Sequence, residues 1–218
     1  MNWKRAGLIG AAIVLPGGAA LAALGLRRRK TICATDWIQT YSGLRFNPLN
    51  PRIEDVKPID IVTALGRAPR FAGHLAIAYP VASHAVMVSY EIEPELALYG
   101  LHHNDTEAYL VDVPRPVKRQ LPEYMEAEKR LSAMIYEALG LEELDRYEQE
   151  ELDRADNAVL RWEAENLFVA GPTDHWSDRL PQMKRYVPDA TWTMERTPAQ
   201  ATSMFVARWR ELQGSVQL

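Results

Sequence analysis

Along most of the chain after residue 60, apolar residues recur every three or four positions, the spacing of one helical face. Val81, Ala85 and Val88 form such a row in a segment over 81–90. Leu96, Tyr99, His103, Glu107 and Leu110 follow the same spacing, and Pro94 suits a first turn, which predicts one helix from Pro94 through Leu110. Tyr124, Leu131, Ile135 and Leu139 run along a helix from Pro122 to Leu139, closed by Gly140. A long helix from about Leu144 to Val169 carries Leu152, Asp156, Val159 and Leu160 on one row and stops at Gly171-Pro172. Thr197-Pro198 joins a capping hydroxyl to a first-position proline and opens a last helix to Leu212. Asp60 is expected to cap a short helix to about Leu65, ended by Gly66 and Pro69. Upstream, Gly43, Pro48, Pro51 and Pro58 break residues 31–60, leaving room for a short strand within Trp37–Tyr41. Loops fall at 66–80, 111–121 and 171–196. The fold class is all-α, a helical bundle.

The first thirty residues differ from the rest. Gly7 to Leu26 carries no charge and is bounded by Lys4-Arg5 and by Arg27 to Lys30. Twenty residues of helix span roughly 30 Å, the thickness of a hydrocarbon core. Residues 7–26 could be a single membrane anchor, its cation-rich side holding residues 31–218 at the cytoplasmic face. The alternative is an apolar leader, since Pro16, Gly17 and Gly18 at the centre weaken the span. Four cations directly after the stretch argue against a cleaved signal peptide. The expected division is therefore a segment 1–30 and a folded domain 31–218.

Charge narrows the partners. Residues 1–30 hold six cations and no acid, so the remainder carries 29 acids against 19 cations, a net charge of −10. A part that acidic is a poor candidate for non-specific duplex binding, which rests on cationic contacts to phosphates, so no duplex nucleic acid is expected as a partner. One cysteine, Cys33, excludes a disulfide framework and a cysteine-rich zinc module.

Chemistry enters through polar residues placed on apolar faces. His84 falls on the stripe of Val81 and Val88, His103 and Glu107 lie one turn apart, and Asp156 shares its row with Leu152 and Val159. Taken singly, such residues are more often hydrogen-bonded core groups than ligands. Three helices each aiming a metal-capable side chain inward is a rarer coincidence. Two histidines and an aspartate suit a first-row divalent cation with positions open to water or substrate. Beside His103, Asn104 could bind only through its amide oxygen, whereas Asp105 has the charge but lies about 100° further round the helix. Spacing does not choose between them.

At this point the chain resembles a family. Arg70-Phe71-Ala72-Gly73-His74, then Val81-Ala82-Ser83-His84, then Gly100 through Lys118, with His102-His103-Asn104-Asp105-Thr106-Glu107 and Asp112-Val113-Pro114-Arg115-Pro116, looks like the HD-domain metal-dependent phosphohydrolases. The similarity is to the branch of 5′-deoxynucleotidases and their phage and bacterial relatives. Ala155-Asp156-Asn157, followed by Glu163-Ala164-Glu165-Asn166-Leu167, is similar to that family's final aspartate helix, and the resemblance covers roughly residues 36–212. It implies an HD-domain helical bundle. It further implies His84, His103 and Asp156 as metal ligands, Glu107 as the acid that positions or activates water, and Asp112 as the carboxylate that assists the leaving group. Arg70 and Phe71 match an Arg-aromatic pair lying against the nucleotide. The family's name-giving aspartate falls on Asn104, which leaves a neutral amide at a ligand position.

The expected function is metal-dependent phosphate release from deoxynucleotides, as a phosphomonoesterase or a triphosphohydrolase, with Mn²⁺, Co²⁺, Mg²⁺ or Zn²⁺. Lys118 and Arg115 could neutralise phosphate charge or form a solvated basic turn. Asp112 could equally be a turn carboxylate before Pro114. His74 is a further candidate for touching phosphate. His102 is expected to face a neighbouring helix, and His175 falls in a loop. Two other readings fit: a weakened HD domain that binds nucleotide without turnover, and a membrane-tethered helical interaction module. Oligomers are compatible with all three.

Overall fold

The computed structural model describes residues 36–169, 176–214 and 216. The apolar stretch 7–26 and His175 lie outside these residues. Among the described residues no helix is long and apolar enough to cross a membrane.

Most of the described chain is helical, with a minimal hairpin at the start. Strands β1 (Ile38–Gln39) and β2 (Arg45–Phe46) pair antiparallel, so the strand foreseen over Trp37–Tyr41 shrinks to two residues. Phe46 is fully buried and stacks on Tyr109 with ring centroids 3.9 Å apart. Helix α1 (Pro58–Arg67) begins with proline at its first position rather than with Asp60 as a cap. Asp60 sits inside the first turn and accepts hydrogen bonds from the Ser42 backbone N–H (2.6 Å) and hydroxyl (2.8 Å), which ties the hairpin loop to the helix. A carboxylate there also complements the positive end of the helix dipole.

Helix α2 (Val81–Glu91) is the centre of the bundle and packs against α1, α3 (Ala97–His102), α7 (Arg146–Leu167) and α8 (Pro198–Gln213). Every residue of α2 but Tyr90 is buried. Its sequence, VASHAVMVSYE, is apolar nearly all round, as a helix without a solvent face must be. Gly100 permits the close approach of α3. A Cβ at that position would stand 2.9 Å from Ile92 Cγ2 and 3.0 Å from Ser89 Cα.

The single helix expected over Pro94–Leu110 is broken. A 3-10 turn (Pro94–Leu96) leads into α3, residues 103–106 form a turn, and α4 (Glu107–Leu110) follows. Across the break the backbone bonds run three residues back: Asp105 to His102, Glu107 to Asn104, Ala108 to Asp105. His, Asn, Asp and Thr are weak helix formers whose side chains compete for local hydrogen bonds, and here four stand in a row. The loop foreseen over 111–121 holds a short helix, α5 (Arg115–Lys118). The segments around 66–80 and 171–196 include the end of α1 and 3-10 turns at Arg70–Gly73, Trp176–Arg179 and Ala190–Thr193.

Helix α6 (Pro122–Leu139) ends at Gly140, whose φ of 71° allows Leu141 N–H to reach Tyr136 O. Helix α7 starts two residues later than the sequence indicated, on a capping box of Asp145 and Glu148. Thr197 and Gln200 form the same motif at α8. Helices α2 and α7 run antiparallel and are cross-linked at both ends. His84 meets Asp156 and Glu163 at one end, and Glu91 meets Arg154 at 2.7 Å at the other.

Candidate metal centre

Three elements deliver the site: α2 gives His84, the turn after α3 gives His103, and α7 gives Asp156. One donor atom of each lies within 4.8 Å of the others. His84 Nε2 is 3.0 Å from Asp156 Oδ1, and His103 Nε2 is 3.8 Å from the same oxygen. Two adjacent ligands with bonds of about 2.1 Å stand about 3.0–3.4 Å apart, close to these spacings.

The tautomers are set from behind. The Nδ1 of His103 donates to Gly100 O at 2.8 Å, which leaves Nε2 with its lone pair, buried and without a hydrogen-bond partner. His84 Nδ1 lies 2.7 Å from Glu163 Oε1, so its Nε2 also faces the aspartate. Both imidazoles thus turn the same nitrogen toward one carboxylate, the arrangement that metal-binding histidines adopt. Burial and Arg70 would lower the pKa of His84, but the Glu163 and Asp156 carboxylates outweigh them and hold it above its ordinary value. Burial would raise the Asp156 pKa; His103 and His84 instead hold it well below the usual carboxylate range.

Asp156, Asn104 and Glu107 line a cavity of about 720 Å³. Burial pushes the Glu107 carboxyl up to about 8; Asp112 adds to the shift, while Arg70, Lys118 and His84 oppose it. Its Oε2 is buried without a partner, as is the amide nitrogen of Asn104. Arg70 Nη1 stands 3.6 Å from Asp112 Oδ2, and its guanidinium lies 5.1 Å from the Phe71 ring centre. Burial alone would depress this arginine, but Glu163, Asp112 and Glu107 raise its pKa and keep it charged. Lys118 also lines the cavity and pairs with Glu128 at 2.6 Å, and Arg115 reaches Asp156 Oδ2 at 3.3 Å. Phe71, Phe168 and Trp176 give part of the wall an aromatic surface.

Of the residues singled out in the sequence, the structure therefore gathers His84, His103, Asn104, Asp156, Glu107, Asp112, Arg70, Phe71, Arg115 and Lys118. His74 departs. It is exposed and does not line the cavity, because the chain reverses through Phe71, Ala72 and Gly73, all at positive φ, and carries it to the surface. Phe71 and Ala72 pay for this with φ of 52° each, a region that residues with a Cβ seldom occupy. Asp105 is turned away: its Oδ2 sits 2.7 Å from His102 Nδ1, and that ring packs edge-on against Trp209 and Phe205. His102 faces a neighbouring helix, as expected. Glu163, absent from the sequence-derived set, is the carboxylate behind His84. The sequence placed it in the segment resembling the final aspartate helix, seven residues or about two turns after Asp156, but gave it no role.

No family model matches the chain. The chain is similar to the uncharacterized protein YfdR of Escherichia coli (strain K12). The two are 42% identical over 105 residues, 48% of this chain. The chain spans 59% of that relative's length, and the relative's description names no activity.

Proposed function

We propose that the chain is a metal-dependent phosphohydrolase that releases phosphate from deoxynucleotides, with His84, His103 and Asp156 holding a divalent cation. One observation carries the reading: two histidines from separate elements present the same ring nitrogen to one aspartate at the edge of a cationic cavity. A divalent cation there would polarise a phosphoryl oxygen and lower the pKa of a bound water.

The remaining roles fall to side chains in the cavity. Glu107 Oε2 is buried and free to take or give a hydrogen bond, which suits it to orient a water and move its proton. Asp112, steadied by Arg70, is the group for the departing oxygen. Arg115 and Lys118 supply charge toward phosphate, while Phe71 and its aromatic neighbours offer a face to a base. The deoxynucleotide preference rests on the sequence resemblance alone. Asn104, neutral where a carboxylate ligand would serve better, favours a second reading: nucleotide binding without turnover.

The test is a phosphate-release screen of deoxynucleoside mono-, di- and triphosphates against Mn²⁺, Co²⁺, Mg²⁺ and Zn²⁺. Release with at least one cation, abolished by chelator, is the expected result. Nucleotide binding without release selects the second reading, and a chain that binds neither cation nor nucleotide overturns both.

A further inference from the structure

We infer that Glu163 is a positioning residue that ties the metal centre to the substrate side of the cavity. It holds His84 with one carboxylate oxygen and Arg70 with the other. The inference rests on the metal-centre reading above.

Glu163 is completely buried and does not line the cavity, so it acts only through its neighbours. Its Oε1 is 2.7 Å from His84 Nδ1, and its Oε2 is 3.3 Å from Arg70 Nη2. A buried carboxylate is costly unless both oxygens are engaged. Here the two oxygens engage groups from different parts of the chain, α2 and the left-handed turn after α1. The second guanidinium nitrogen of Arg70 then reaches toward Asp112 at 3.6 Å. An unbroken charged row runs Asp112, Arg70, Glu163, His84, Asp156, with Glu163 in the middle.

Two consequences follow from that placement. A carboxylate accepting from Nδ1 orients the imidazole and makes Nε2 a better donor to a cation. The same carboxylate fixes a flexible guanidinium whose planar fork is suited to phosphate. Removing Glu163 should therefore weaken two affinities at once, although it touches neither ligand. A merely structural ion pair would lower stability and leave both affinities alone in the protein that remains folded.

The experiment uses the full chain with Glu163→Gln and Glu163→Ala, each first shown to be folded by circular dichroism. Mn²⁺ affinity is measured by chelator competition, and dAMP affinity is measured separately in EDTA. Glu163→Gln, nearly isosteric, guards against a misfolded alanine variant. Expected is a loss of about 10- to 100-fold in Mn²⁺ affinity, with dAMP affinity in EDTA reduced about tenfold by the freed Arg70. Folded Glu163→Gln that binds Mn²⁺ within about threefold of wild type overturns the role at His84. Unchanged dAMP affinity overturns the link to Arg70. Wild-type protein that binds no Mn²⁺ overturns the metal-centre reading itself, an outcome distinct from either.

Discussion

His102 and His103 are adjacent in sequence and serve different structures. His102 pairs with Asp105 and packs its ring against Trp209 with centroids 4.4 Å apart. His103 anchors its Nδ1 on Gly100 O and turns Nε2 toward Asp156. The turn that separates α3 from α4 thus sends one imidazole and one carboxylate into the core, the other imidazole toward Asp156, and Asn104 to the cavity. This settles which neighbour of His103 faces the site.

Asn104→Asp is expected to tighten Mn²⁺ binding by about tenfold, because charge-assisted contacts are about twice as strong as neutral ones. Asp105→Ala should leave metal affinity within about threefold. It should lower stability by about 1–3 kcal/mol, since a buried histidine loses its partner. Chelator titration and urea unfolding of both variants check the pair. Loss of metal by Asp105→Ala would contradict the assignment.

Alanine at His84, His103 or Asp156 should each abolish stoichiometric metal binding. His103→Ala should be the mildest for stability, since it leaves no buried carboxylate unpaired while His84 still meets Asp156. Retention of metal by all three variants would reduce the cluster to core polar residues.

Gly100→Ala tests the spacing between the two histidine-bearing elements. The added methyl meets the Ile92 side chain and, at 3.0 Å, the Ser89 backbone, which cannot rotate away. The expected result is a lower melting temperature together with weakened metal binding, because α3 must withdraw from α2 and take His103 with it. Stability loss with unchanged metal affinity would show that the turn at 103–106 absorbs the shift.

Val111 lies between Glu107 and Asp112 with φ 61° and ψ 158°, a conformation open mainly to glycine, and its side chain is 64% exposed. Such strain costs about 1–3 kcal/mol. Tyr124 stabilises the turn by donating its hydroxyl to Val111 O at 2.8 Å. Val111→Gly should raise stability by about 1 kcal/mol, the relieved strain exceeding the entropic cost of glycine. Denaturant unfolding is the measurement, and destabilisation would refute the strain argument.

Glu91 is fully buried and accepts from the backbone N–H groups of Lys184, Arg185 and Tyr186 as well as from Arg154. Burial would raise its pKa, but these donors hold it below the ordinary 4.5. Because the folded-state pKa is the lower one, the stabilisation is complete above about pH 4.5 and fades as pH falls through the folded value. Glu91→Gln should cost about 3 kcal/mol at pH 7. The gap to wild type should narrow below pH 4, and a gap that does not change with pH would remove the carboxylate from this account.

The helical periods alone determined that the chain is mostly α and where α2, α6, α7 and α8 lie, because those helices bury a stripe whose spacing is written locally. The same periods placed His84 and Asp156 inward, since each interrupts an otherwise apolar row. The break at His103–Thr106 escaped the pattern because the apolar spacing continues across it, and only packing of α3 on α2 and of α4 on α1 shows two elements. The role of Glu163 was invisible for a related reason. On α7 it is one more acid in a run of acids, and it becomes the partner of His84 only when α2 lies antiparallel against α7. Periodicity tells which way a side chain points from its own helix. What it meets depends on the separation and rotation between helices, which only the tertiary structure decides.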